Sequence, residues 1–118
     1  MYYKDGSIIK GEWKDGSVFG FAIETDCTAN TYYIGQYKDS EYNGYGIKYY
    51  YSENKIFKGQ VTNNKLEGYA FEYFPNGDIY EGEWNEHKKN GFGFLYKSNG
   101  EKFINIWEND KLIFEKKL

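Results

Sequence analysis

Every 23 or 24 residues the chain returns to the same short pattern, and a period of that length points to a stack of small, similar units. The fullest copy begins Tyr80-Glu81-Gly82-Glu83-Trp84, continues through six polar residues from Asn85 to Asn90, and then runs Gly91-Phe92-Gly93-Phe94-Leu95-Tyr96. Aromatic, acid, glycine, acid, aromatic is the period-2 alternation of a strand with two chemically different faces. A second apolar run starts at Gly91, and Ser98-Asn99-Gly100 has turn composition. Each pass therefore reads as strand, six-residue loop, strand and turn, which is a β-hairpin.

Aligning the chain on the middle glycine of the first strand gives Gly11, Gly35, Gly59, Gly82 and Asn105, spaced 24, 24, 23 and 23 residues apart. Two positions later stand Trp13, Tyr37, Val61, Trp84 and Trp107; two positions earlier, Ile9, Tyr33, Phe57, Tyr80 and Phe103. Gly20, Gly44, Gly68 and Gly91 form another column, followed two residues on by Ala22, Gly46, Ala70 and Gly93. This combination of Y-x-G-x-W, spacer, G-x-G, aromatics and N-G resembles the MORN (membrane occupation and recognition nexus) repeat family over nearly the whole chain. On that reading there is a partial repeat at 1–8, repeats at about 9–32, 33–56, 57–79 and 80–102, and an atypical C-terminal cap at 103–118.

The ends and one join depart from the pattern. Residues 2–9 match the end of one repeat and the start of the next, without the leading strand; a longer parent array or a neighbouring subunit would supply it, since an uncovered edge invites another strand. Residues 25–31 replace the Asn-Gly turn with a glycine-free polar link. In the last pass Asn105 replaces glycine, Phe114 stands where a glycine is expected, and Ile104 and Ile106 replace polar residues. Terminal repeats are expected to be atypical, although apolar residues on both faces also suit a docking partner.

Composition narrows the functional classes. Aromatics make up 22% of the 118 residues, fourteen of them Tyr, so ring contacts must supply much of the packing. No apolar run approaches the roughly 20 residues of a membrane-spanning helix, and Met1-Tyr2-Tyr3-Lys4 does not open a secretory signal. All fifteen basic residues are lysine, against eighteen acids, and a net charge of -3 argues against nucleic acid. A single cysteine, Cys27, forms no internal disulfide and fits a reducing compartment, so cytoplasm is the expected location.

Hairpin register decides what the surface presents. With Trp84 opposite Gly91, the first-strand rings face glycines and Phe92, Phe94 and Tyr96 project from the other side. With Trp84 opposite Phe92, Tyr80, Gly82, Trp84, Phe92, Phe94 and Tyr96 share one face, and Phe94 lies over Gly82. A slip of one residue exchanges these arrangements. The second is expected, because it gathers the apolar area on one side and allows cross-strand aromatic pairs worth roughly 0.2–1 kcal/mol each. The second-strand residues then form a stripe along the array, with Tyr45, Tyr49, Tyr69, Phe71, Tyr73, Phe92, Phe94 and Tyr96 as the expected partner contacts. Half-exposed, these eight rings offer roughly 800 Å², one partner's share of a standard interface and enough for an amphipathic helix in a groove. Trp13, Tyr33, Tyr37, Tyr80, Trp84 and Trp107 are assigned to holding the repeats together.

Catalytic and metal chemistry find little support. His87, the only histidine, sits in a polar stretch without a positioned partner, and Cys27 has no adjacent base; both read as ordinary surface residues. The Gly44/Gly46 and Gly91/Gly93 pairs lack the helix and G-K-[ST] of a phosphate loop. Glu81 and Glu83 have Lys10/Glu12, Ile34/Gln36 and Lys58/Gln60 as their counterparts, so they read as a solvated face rather than an acid–base pair. No calcium-loop pattern and no cofactor motif occur. A lipid surface would need four to eight clustered basic residues, and only Lys88-Lys89 and Lys116-Lys117 are available, so Lys88 and Lys89 are the candidate lipid contacts.

The expected protein is thus all-β: consecutive antiparallel hairpins forming an elongated, twisted, single-layer sheet. It has no catalytic site, cofactor or metal, and takes a protein partner as a scaffolding module: an amphipathic helix, a complex subunit or a second array. The family resemblance implies assembly roles at the cytoskeleton, cilia or cell cortex, and array-to-array dimers in some cases. It also keeps two alternatives, a peripheral phospholipid-binding module and the regulatory segment of a longer enzyme, since similar repeats accompany methyltransferase and lipid-kinase domains.

Overall fold

The computed structural model describes the backbone of residues 2–4 and 7–118 and the side chains of residues 7–118. Residues 1, 5 and 6 of the leading partial repeat therefore lie outside the described residues. The chain forms β1 (Tyr2–Lys4), β2 (Ser7–Lys14), β3 (Ser17–Asp26), β4 (Thr31–Lys38), β5 (Glu41–Tyr50), β6 (Lys55–Thr62), β7 (Lys65–Tyr73), β8 (Ile79–Asn85), β9 (Lys88–Tyr96), β10 (Lys102–Glu108) and β11 (Lys111–Lys117). Each strand pairs antiparallel with its sequence neighbours in one eleven-stranded sheet, and the molecule measures 49 × 23 × 19 Å. The expected all-β hairpin array is the observed fold.

The six-residue loop within each repeat is corrected to two residues. β8 extends to Asn85 and β9 starts at Lys88, leaving Glu86 and His87 at φ 49° and 68°. Asp39-Ser40, Asn63-Asn64 and Asn109-Asp110 take the same pair of positive φ values. Two left-handed residues in succession make the tight turn whose twist matches that of paired strands. Because the strands start earlier than the sequence suggested, Gly44, Gly68 and Gly91 fall inside them, at φ 114°, 89° and 109°. They sit at bulges, where pairing shifts between Gly35 and Tyr37, Gly59 and Val61, and Gly82 and Trp84.

A bulge takes the next N–H off the ladder, and a first-strand side chain replaces the lost acceptor. Tyr45 N donates to Gln36 Oε1 at 2.7 Å, Tyr69 N to Gln60 Oε1 at 3.1 Å, and Phe92 N to Glu83 Oε1 at 2.9 Å. The Gln/Glu column, expected to be merely solvated, therefore closes the backbone hydrogen bonding of each hairpin.

These bulges also settle the register, and the expected arrangement is corrected. Gly82 lies opposite Gly93 and Glu81 opposite Phe94, while Trp84 lies opposite Lys89. Tyr80, Gly82, Trp84, Gly93 and Leu95 thus share an inner face, and Phe92, Phe94 and Tyr96 share an outer face with Glu81 and Glu83. The other hairpins follow: Gly35 opposite Gly46, and Gly59 opposite Ala70. Glycine does make room for a ring, but the ring belongs to the first strand. A methyl group added to Gly46 would overlap Tyr33, and one added to Gly93 would overlap Tyr80.

The inner face is buried by its own side chains. Tyr33 and Tyr80 are each 1% exposed, and Ile9, Val18, Tyr37, Leu66, Ala70 and Trp84 are buried with them. Tyr33 stacks on Tyr42 at 3.8 Å and 16°, and its hydroxyl donates to Gln36 O at 3.0 Å. Trp84 Nε1 donates to Ala70 O of the preceding repeat at 3.2 Å. Each such ring contributes roughly 1.5–3 kcal/mol by burial, and one layer can bury a face this fully only by bending over it. Of the residues assigned to holding repeats together, Trp107 is half-buried and Trp13 stands 36% exposed in the first hairpin.

Charged side chains on this face are met by other charges, hydroxyls or rings. Glu72, 3% exposed, bonds Lys89 Nζ at 3.2 Å and Lys55 Nζ at 3.7 Å. The Lys89 ammonium lies 4.9 Å from the Trp107 ring centre, 5.1 Å from Tyr80 and 5.5 Å from Trp84, a set of cation–π contacts. Glu24 accepts from the hydroxyls of Tyr37 and Tyr42, both at 2.9 Å.

Neighbouring hairpins are clamped at their tips. Ser40, Asn64, His87 and Asp110 donate their N–H groups to the carbonyls of Val18, Tyr42, Leu66 and Lys89, at 2.9–3.2 Å. Their side chains accept in return from the N–H of the same four residues, at 3.1, 2.8, 3.5 and 2.8 Å. His87 is a surface residue as expected, and the structure adds that it is one member of a repeated clamp. At the last strand, all seven residues of β11 are exposed, including Leu112, Ile113 and Phe114.

Candidate interaction surface on the outer face

The outer face carries the second-strand residues in three parallel columns. Tyr45, Tyr69 and Phe92 follow the three bulges described above, and Phe21 follows a fourth at Gly20, where pairing shifts between Gly11 and Glu12. Ile23, Ile47, Phe71 and Phe94 come next, opposite Ile34, Lys58, Glu81 and Ile104 of the first strands. Thr25, Tyr49, Tyr73 and Tyr96 complete the set. Period-2 side-chain alternation puts all twelve on one side; the first column with Ile23 and Ile47 is exposed, and the other six residues are half-buried. Phe21 is 66% exposed, Tyr45 63% and Phe92 58%.

The middle of this face is an open groove of about 570 Å³, lined by Tyr45, Ile47, Tyr69 and Phe71 together with Phe21 and Ile34. The backbones of Gly35, Gly46 and Gly59 complete it, with Lys58 and Gln60 as its polar side chains. Its rings are held in place. Tyr69 meets Phe71 edge to face at 6.0 Å, and Phe71 stacks on Tyr73 at 6.2 Å and 16°.

All eight residues expected to contact a partner lie on this face, but not in one cluster. Tyr45, Tyr69 and Phe71 line the groove. Tyr49 leans on Tyr51 at 4.7 Å and bonds Asn54 Oδ1 through its hydroxyl, beside the join between repeats. Phe92, Phe94 and Tyr96 continue the stripe beyond the groove, and Tyr96 donates to Glu81 Oε1 at 2.8 Å. That bond, followed by burial, pushes the Tyr96 hydroxyl above its ordinary range; burial first, then the Glu81 charge, does the same for Tyr69. Of the candidate lipid contacts, Lys88 is exposed at a hairpin tip, whereas the Lys89 ammonium points inward to Glu72 and the rings around it.

Ile34, Lys58 and Gln60 belong to the groove although the sequence pointed elsewhere. They are first-strand residues, and the expected register placed them on the side away from the second-strand rings. Their signal was the G-x-G spacing itself: once Gly44 and Gly68 are bulges, first-strand neighbours of glycine move beside the rings. Among the described residues no group of three or more His, Cys, Asp or Glu is arranged to hold a metal ion.

Residues 33–55, 57–79 and 80–102 each match the family model described as MORN repeat. A search of curated proteins returned no match.

Proposed function

Since the chain belongs to the MORN repeat family, whose repeats generally mediate protein or membrane interactions, we propose that it is a non-catalytic scaffolding module whose outer face binds a protein partner. The observation that carries this reading is the contrast between its two faces. The inner rings are buried against one another, while the outer rings enclose an open apolar groove. An exposed patch of this kind is the usual mark of an interaction site. The proposed setting is the cytoplasm, at the cytoskeleton, a cilium or a membrane surface.

The test is affinity capture from native extract by the wild-type array and by Tyr45→Asp, Phe71→Asp and Phe94→Asp arrays. Thermal melting of each variant confirms that it folds. Loss of the same captured protein with all three supports the outer face as the binding surface. Capture that survives Tyr45→Asp and Phe71→Asp removes the groove from the proposal. Salt-sensitive sedimentation with anionic vesicles, abolished by Lys88→Gln, would replace the protein partner with a lipid surface.

A further inference from the structure

We infer that the outer groove takes a proline-rich segment in the extended polyproline conformation, with a carboxylate opposite Lys58. This rests on the reading of the groove as a protein-binding site and goes further by specifying the occupant.

Lys58 is the single charged residue lining the groove, set between its strand partners Ile47 and Phe71, and it makes no ion pair among the described residues. Gln60 spends its oxygen on Tyr69 N and gives one amide hydrogen to the Tyr45 hydroxyl at 3.4 Å. The Tyr69 hydroxyl is engaged by Glu81, which stands beside the groove opposite Phe71, so the second Gln60 amide hydrogen, the Tyr45 hydroxyl proton and the Lys58 ammonium remain as donors, with no carboxylate among the lining residues themselves.

Such a groove suits an occupant rich in acceptors and poor in donors. A helix keeps its backbone carbonyls for itself and would present only side chains. An extended strand brings an N–H with every carbonyl. Proline has no N–H, and the polyproline helix leaves its carbonyls free. The spacing agrees: equivalent rings stand two strands apart, roughly 9.5 Å, against about 9.3 Å for three residues of polyproline helix. Tyr45 and Tyr69 then bracket one turn, and a carboxylate on that turn meets Lys58.

The experiment uses fluorescence anisotropy with three labelled nine-residue peptides: eight prolines with a central Glu, eight prolines with a central Lys, and an amphipathic Leu/Glu helix former. The wild-type array is expected to bind the Glu peptide about tenfold more tightly than the Lys peptide, as for a close charge pair. Lys58→Glu should reverse that order, and Tyr45→Ala should weaken the Glu peptide about tenfold. Equal binding of both proline peptides, an order unchanged by Lys58→Glu, or no proline binding overturns the inference. Tyr45-dependent binding of the helical peptide alone would also overturn it, while leaving the protein-binding reading of the groove standing.

Discussion

The ring of Tyr80 lies across Gly82 of its own strand and Gly93 of the next, so closely that a methyl group at either glycine would overlap it. Tyr33 stands in the same relation to Gly35 and Gly46. In the two remaining repeats the second-strand position is Ala22 or Ala70, and the corresponding first-strand residue is Ile9 or Phe57. Tyrosine thus occurs with glycine, and a residue without the hydroxyl occurs with alanine.

Gly93→Ala should therefore destabilise the array by about 1–3 kcal/mol, the usual cost of overpacking. In a Tyr80→Ala background the same change should cost far less, because the ring it would strike is gone. Urea denaturation of the two single variants and the double variant measures this coupling. Additive effects would mean that the glycine is required for some other reason.

Phe57→Tyr is the reverse experiment. The added hydroxyl should lower the melting temperature when Ala70 is present, and Ala70→Gly in the same chain should recover most of the loss. Thermal melts of the two variants decide it; a Phe57→Tyr array as stable as wild type would separate hydroxyl reach from the choice of glycine.

Glu72 holds two lysines in a place where each partner depends on the others. Glu72→Ala should cost about 3 kcal/mol, the scale for removing one member of a buried ion pair, because the Lys89 ammonium would remain among Tyr80, Trp84 and Trp107 without its carboxylate. Replacing both by leucine, the residue at the equivalent positions 95 and 66, should recover most of that cost. Denaturant midpoints of the single and double variants test it.

His87 makes one hairpin clamp sensitive to acid. Although the residue as a whole is exposed, desolvation of its ring beside Phe57, assisted by the Lys48 charge, lowers its pKa below the ordinary 6.5, against smaller opposing effects of Asp110 and Glu72. The unfolded chain then binds a proton more readily than the folded one, so stability is full above pH 6.5 and declines as pH falls through the folded pKa. Protonation also removes the Nδ1 lone pair that accepts from Leu66 N at the hairpin tip. His87→Asn, which copies Asn64 in the previous repeat, should flatten this part of the pH profile. Urea melts of wild type and variant at pH 7.5 and 5.5 provide the comparison, and identical slopes would contradict it.

The periodic columns determined on their own that the chain is a stack of hairpins. Alternation of side chains at period 2 also determined which residues of any one strand share a face. The second-strand stripe was legible for that reason, and all of it does lie on one side. Alternation within a strand carries no information about which face of its neighbour it meets. That choice was made in three dimensions, by two-residue turns such as Glu86-His87, by the bulges at Gly44, Gly68 and Gly91, and by the space a tyrosine ring needs over facing glycines. These contacts join residues that are neighbours only after the sheet has formed and bent. They decided that Tyr80 is buried while Phe92 is exposed, and they brought Lys58 and Gln60 into the groove beside Tyr45 and Tyr69.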